Sequence, residues 1–251
     1  MPFKGIKAII FDFGFTLYYF KDATVEKYMD CYRQGLQKCI QKLYDMEILK
    51  NSSEKRQFKQ NFNKKRMESL KLSRKTTQEF PTTEIIKEIF NIMNIKVDNE
   101  VSEELATLYH SCEEDEWIPF KNTEKTLKQL KELNIKLAVL SNHPHHQTIE
   151  TLINKHNLSK YFEIIITSGD YGKRKPNPEI FIHTIEKMGF NEKDAALILV
   201  CGDEYADIMG AHRVGLQKIF FQRKVEFPFE KEIPIYDFEK IDEISEILQY
   251  L

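Results

Sequence analysis

Residues 8–17 read AIIFDFGFTL. An apolar run long enough for a buried strand stops on an ionisable side chain, Asp12, and Gly14 and Thr16 follow before aromatic residues resume at Tyr18. One Asp at a strand end is most often a turn residue or a helix cap. Its meaning therefore depends on what the rest of the chain delivers to the same place.

Working outward, the first run extends over 6–11, and further runs of strand length lie at 135–140 (IKLAVL), 163–167 (EIIIT), 197–201 (LILVC) and 218–221 (KIFF). They lack polar alternation, the pattern of strands buried on both faces. Stretches of helical period at 122–133, 145–156, 178–188 and 205–214 separate the later ones. This alternation predicts an α/β fold, a Rossmann-like parallel sheet core with helices on both faces. IPIYDF at 233–238 is expected to add an edge strand, and 240–250 a closing helix.

The block from 18 to 116 breaks the pattern. It offers no convincing strand and four amphipathic helical stretches, at 22–48, 53–71, 82–93 and 99–116, with breaks near Asn51–Ser53, Pro81 and Val97–Asn99. The expected organisation is a core domain of 1–17 and 117–251 with an α-helical domain, 18–116, inserted after the first strand.

Composition narrows the partners. The net charge of −2 leaves no global basic field for nucleic acid. Cys31, Cys39, Cys112 and Cys201 form no C-x-x-C pair and read as reduced packing thiols, neither zinc ligands nor a disulfide framework. No segment has the length and apolarity of a membrane span or signal peptide. The expectation is a soluble, cytoplasmic protein with no nucleic-acid, membrane or obligate protein partner. The basic stretch from Lys55 to Lys75 reads first as the solvated face of a helix and second as a field that attracts anions. HPHH at 143–146 reads as a helix-start loop with surface histidines, since its spacing supplies no fourth metal ligand.

In an open parallel sheet, ligands bind outside the carboxyl ends of the strands. Asp12 follows the first run, Ser141 and Asn142 follow IKLAVL, Lys175 lies in GDYGKRKPNPEIF after EIIIT, and Asp203 and Asp207 follow LILVC. A carboxylate nucleophile can divide a displacement into two steps through a covalent intermediate. A hydroxyl and an ammonium can hold transferring phosphoryl oxygens. Asp12, Asp203 and Asp207 would make an all-oxygen site suited to Mg²⁺, and three crowded carboxylates call for a cation.

This constellation resembles the haloacid dehalogenase superfamily of hydrolases. IIFDFGFTL is similar to its first motif, LAVLSN to the second, KRKPNPEIF to the third and VCGDEYADIMGAHRVG to the fourth. The resemblance implies Asp12 as nucleophile, Thr16 as the hydroxyl closing the first motif, and Ser141, Asn142, Lys175 and Asp207 in the catalytic set. It also implies Mg²⁺ held by Asp12, the Gly14 carbonyl and Asp203, and a helical cap sealing a small phosphorylated metabolite, such as a sugar phosphate, against the core. Two departures stand out. Phosphatases of the family usually carry a second Asp, a proton carrier, where this chain has Gly14, and a small residue or Asn where it has Phe15. The leading expectation is a Mg²⁺-dependent phosphatase working through phospho-Asp12, with Tyr18, Tyr19 or Glu204 as replacement proton carriers. The alternatives are a binding protein that keeps the fold without the catalysis and, behind it, a 2-haloacid dehalogenase, against which the GD pair of CGDE counts.

Overall fold

The computed structural model describes residues 3–225 and 231–251. Among them, β1 (Ala8–Phe11) and β2 (Tyr18–Phe20) precede the helices α1 (Val25–Asp45), α2 (Ser52–Thr76), α3 (Thr82–Ile92), α4 (Asn99–His110) and the one-turn α5 (Glu113–Glu116). Then come β3 (Trp117–Pro119), α6 (Thr123–Glu132), β4 (Lys136–Ser141), α7 (His146–Lys155), β5 (Ile164–Thr167) and the short α8 (Ser168–Tyr171). The chain finishes with α9 (Pro178–Lys187), β6 (Ile198–Gly202), α10 (Tyr205–Arg213), β7 (Gln217–Phe221), β8 (Glu239–Ile241) and a 3-10 turn at Ile244–Tyr250.

Six of the described strands form one sheet in the order β5-β4-β1-β6-β7-β8, with every pairing parallel. Successive side chains on a strand point to opposite faces, and here both faces are covered. Ile9, Phe11, Leu137, Val139, Leu199 and Cys201 pack on Leu127, Leu130, Ile149, Leu152 and Ile153 of α6 and α7. Ala8, Ile10, Ala138, Leu140, Ile198 and Val200 pack on the other side against Ile180, Phe181 and Ile185 of α9 and Ala211 of α10. That two-sided burial is why the strand sequences run apolar without a break. The strand order reverses direction around β1: the chain lays β4 and β5 on one side of it and β6, β7 and β8 on the other. The carboxyl ends of β1 and β6 therefore border the crevice where such sheets bind ligands.

Helices α1 to α4 bury a cluster of their own, including Leu36, Leu43, Phe58, Phe62, Ile86, Ile89 and Leu105. The Thr24 side chain accepts the Lys27 amide to start α1, and Asn51 accepts those of Ser53 and Glu54 to start α2. Two short strands flank the helices. Tyr18–Phe20 pairs antiparallel with Trp117–Pro119, and Tyr18, Phe20 and Trp117 join the sheet-side core.

Four expectations are corrected. Tyr18–Phe20 is a strand inside the block read as wholly helical, because its partner lies about a hundred residues away. The last strand is Glu239–Ile241, not 233–238: its residues are the ones that register against Ile219–Phe221, and Pro234 lacks the amide a ladder needs. The closing helix is a 3-10 turn. Cys31 and Cys112 are not reduced thiols. They are bonded across a separation of 81 residues, with their Cα atoms 5.5 Å apart, while Cys39 and Cys201 are free and buried. The disulfide removes the cysteine argument for a reducing compartment. No helix among the described residues is long and apolar enough to cross a membrane.

Candidate active site

Asp12 leaves β1 directly, its amide held by the Cys201 carbonyl of β6 at 2.9 Å. Lys175 reaches it from the loop before α9. The Lys175 ammonium donates to Asp12 Oδ1 at 2.5 Å, to Asp207 Oδ1 at 2.6 Å and to the Leu140 carbonyl at 2.7 Å, so a buried cation lies between two carboxylates. Burial alone would push that ammonium toward neutrality, but Asp12 and Asp207 outweigh it and hold its pKa above the ordinary lysine value.

Asp207 is in turn set by α10. It stands in the first turn, where its Oδ2 accepts the Glu204 amide at 3.1 Å and its own amide donates to the Glu204 carbonyl at 3.1 Å. Its carboxyl fills space that any side chain at Gly202 would need: a Cβ there would lie 2.2 Å from Asp207 Cγ. Asp203, 3% exposed, accepts the Thr16 hydroxyl at 3.0 Å on Oδ1 and the Arg223 guanidinium on Oδ2. Burial pushes the Asp12 carboxyl up to about 7, against the pull of Lys175. It pushes Asp203 well up too, with Asp12 and Glu204 adding to it and Arg223 opposing. Oxygens of Asp12, Asp203 and Asp207 lie within 4.8 Å of one another.

Of the residues expected from sequence, Asp12, Thr16, Lys175, Asp203 and Asp207 are joined here by the bonds above. Ser141 is the last residue of β4 and is buried. Asn142 lines the cleft and grips the Lys175 backbone: its Oδ1 accepts the Lys175 amide at 2.8 Å and its Nδ2 donates to the Lys175 carbonyl at 3.1 Å. Gly14 lies under the Trp117 indole, where a Cβ would come within 3.0 Å of Cη2 and 3.5 Å of Cζ3. A side chain at position 14 would crowd the indole, which would have to give by a few tenths of an ångström. Phe15 takes a left-handed backbone, φ 59°, with its ring against Trp117 and beside Arg223. Of the replacement carriers, Tyr18 is excluded: it is fully buried and its hydroxyl donates to the Leu152 carbonyl at 3.3 Å. Tyr19 lines a separate cavity of about 320 Å³, whereas Glu204 lines the cleft that holds Lys175 and Asp203.

A second polar cluster was not legible. Glu113, fully buried on α5, accepts bonds from Trp117 Nε1 at 3.0 Å, His110 Nδ1 at 2.6 Å and His143 Nε2 at 3.3 Å. His143 and His145 are therefore buried partners of the inserted helices, not surface residues. His110, Glu113 and His143 also lie close enough together to hold a cation. His143 Nδ1 lies 2.8 Å from the His145 carbonyl and 3.2 Å from the His145 amide. Burial works to raise the Glu113 carboxyl, but His143 and His110 beside it hold it well below the usual range.

The chain is similar to known hydrolases. The profile of the haloacid dehalogenase-like hydrolases matches residues 9–221. Haloacid dehalogenase-like hydrolase domain-containing protein 3 of Danio rerio is 29% identical over 146 residues, 57% of this chain and 58% of that protein. The phosphoglycolate phosphatase of Aquifex aeolicus is 36% identical over 97 residues, 39% of this chain and 44% of that protein. The chain thus spans less than two thirds of these relatives. Among solved structures, a 2-haloacid dehalogenase from Pseudomonas syringae superposes with a TM-score of 0.63 over 98% of this chain and 97% of its own, at 16% identity. An identity so low speaks for fold alone.

Proposed function

Since this chain belongs to the haloacid dehalogenase-like hydrolases, we propose that it is a Mg²⁺-dependent phosphatase that hydrolyses a small phosphomonoester through a phospho-Asp12 intermediate. The observation that carries the reading is the Lys175 ammonium held between Asp12 and Asp207 at the strand ends, beside Asp203. Phosphatase activity in a relative such as the Aquifex aeolicus enzyme supports it.

The donor set fits the metal. Asp12, Asp203 and Asp207 present three carboxylates, and the two cations among them, Lys175 and Arg223, leave a negative excess in a buried place. Hard oxygen ligands are what Mg²⁺ takes. Asp12, Asp203 and the Gly14 carbonyl would hold it, with Asp207 alongside, and the bound ion would supply positive charge to the phosphoryl oxygens. The chain's own residues do the rest. An Asp12 carboxylate oxygen attacks phosphorus and the bond to the leaving oxygen breaks; Ser141 and Lys175 hold the transferring oxygens. Glu204 stands in the cleft to give the leaving oxygen its proton and then to take one from the water that cleaves phospho-Asp12. Thr16 fixes Asp203, and Asn142 fixes Lys175.

The division into a core of 1–17 and 117–251 and a cap of 18–116 belongs to the same reading, with the ribbon of β2 and β3 as the joint. Among enzyme readings the runner-up, a dehalogenase, would not be expected to keep the GD pair of CGDE. Phosphate release from an aryl phosphate, with and without Mg²⁺, tests the proposal. Activity that Mg²⁺ restores after chelation and Asp12→Asn removes supports it; halide release from a 2-haloacid without metal would replace it.

A further inference from the structure

The crevice opens into a cleft of about 500 Å³ that runs from Lys175, Asn142 and Asp203 between the C-terminal turn of α2 and the outer side of α10. Cations line both walls. Three have protein partners: Lys175 holds Asp12 and Asp207, Arg223 holds Asp203, and Arg174 donates to buried Glu79 at 2.9 Å. The others do not. Among the described residues, Arg74 and Lys75 of α2 pair with no carboxylate, and Arg213 gives its Nη1 to the Pro176 carbonyl at 2.8 Å. Lys231 lies over the Tyr205 ring, 5.3 Å from its centroid.

Arg74, Lys75 and Arg213 each stand in the last turn of a helix, where a cation suits the helix dipole. That accounts for one positive side chain per helix end, worth a little, and not for two helix ends of the same sign converging on one cleft. Arg213 lies eight residues beyond Tyr205, about 12 Å along α10, so the positive charge extends well past the phosphoryl site. Like charges facing across a narrow space repel unless an anion lies between them.

We propose that the substrate carries a second anionic group, a carboxylate or another phosphate, at the end remote from the scissile phosphate, and that Arg74, Lys75 and Arg213 bind it. The proposal rests on the phosphatase reading and narrows it: a metabolite with a neutral tail leaves these three residues unused.

The test pairs turnover with binding. The Mg²⁺-loaded full chain is assayed on phosphates of similar length with a carboxylate tail (phosphoglycolate), a second phosphate, or an uncharged tail. The carboxylate and bisphosphate arms decide which anion is taken. The expected result is a kcat/KM at least about tenfold higher for one of the anionic tails, the fold-change of one hydrogen bond to a charged group. Arg74→Gln with Lys75→Gln should erase that ratio through KM, and added salt should shrink it. Phosphoglycolate and inorganic pyrophosphate are also titrated calorimetrically into Asp12→Asn, with and without the two Gln changes. If no phosphate ester turns over but a dianion still binds and the Gln changes abolish binding, the phosphatase reading fails and the anion subsite stands. If the uncharged tail is preferred, or the Gln changes leave both the ratio and the binding as they were, the subsite is wrong.

Discussion

Adding a second acid, by Gly14→Asp, should not improve on the proton transfer proposed for Glu204. A Cβ on residue 14 would lie 3.0 Å from Trp117 Cη2, tighter than nine in ten real Cβ contacts, so the indole or the loop has to give by a few tenths of an ångström. The indole has little room to do so. It is 5% exposed, its Nε1 is held by Glu113, and Phe13, Phe15 and Phe20 meet it edge-on at 5.6, 5.1 and 5.2 Å. Overpacking a site of this kind costs about 1–3 kcal/mol. The new carboxylate would also add negative charge next to Asp12, Asp203 and Asp207. Urea unfolding should therefore show Gly14→Asp less stable by about 1–3 kcal/mol, and Gly14→Ala, which carries the same Cβ without the charge, should show most of that loss. Turnover is followed on a series of phosphates of increasing leaving-group pKa. A working general acid contributes roughly 10²–10⁴ in rate, chiefly for poor leaving groups, and the variant should gain none of this on alkyl phosphates beyond what Glu204 supplies. A Gly14→Asp protein as stable as the parent and about 10²-fold faster on alkyl esters would refute the claim that Trp117 excludes an acid from this position.

Glu113→Ala removes the acceptor shared by His110, Trp117 and His143 in a fully buried network; breaking a buried pair costs about 3–5 kcal/mol, which equilibrium denaturation should register. Burial, with His143 adding, holds the His145 imidazole down at about 4. The unfolded chain then takes up that proton first, near pH 6.5, and stability is lost as pH falls from there through about 4, by about 2–3 kcal/mol. Asp12 and Asp203 act in the opposite sense because their carboxyls are pushed up, so the effect is read as a difference: His145→Gln should lose less stability than the parent between pH 7 and 4, and equal losses would contradict it. Reducing the Cys31–Cys112 bond, or making Cys31→Ser, releases a loop of 81 residues and should cost about 2–4 kcal/mol, seen as a lower melting temperature in reductant that Cys31→Ser no longer shows.

What could be read in advance was whatever repeats locally. β1, β4 and β6 are visible because burial on two faces forces every residue to be apolar, and Asp12, Lys175, Asp203 and Asp207 because each follows such a run in chain order. What could not be read is the set of contacts closed between distant residues. Trp117 covers Gly14 from across the inserted helices, Glu113 meets His143 thirty residues on, and Cys31 meets Cys112 over eighty. Asn142 sits beside a motif residue, and nothing in its spacing distinguishes a group that touches substrate from one that grips the Lys175 backbone. The signal for β8 was misleading in the other direction, since IPIYDF has strand composition and only the register against β7 shows that the ladder forms at Glu239–Ile241. Arg74 and Lys75 belong to a basic run whose solvated part, such as Lys65 paired with Glu88, hid the two residues that face the cleft.

The central claim is the covalent step on Asp12, and trapping it is the most direct measurement. The Mg²⁺-loaded chain is mixed rapidly with an aryl phosphate, quenched in acid within the first turnovers, digested and analysed by mass spectrometry. One phosphoryl group is expected on the peptide that contains Asp12, absent from Asp12→Asn, which also fails to turn over. Steady phosphate release with no phosphorylated peptide, undiminished in Asp12→Asn, would contradict it.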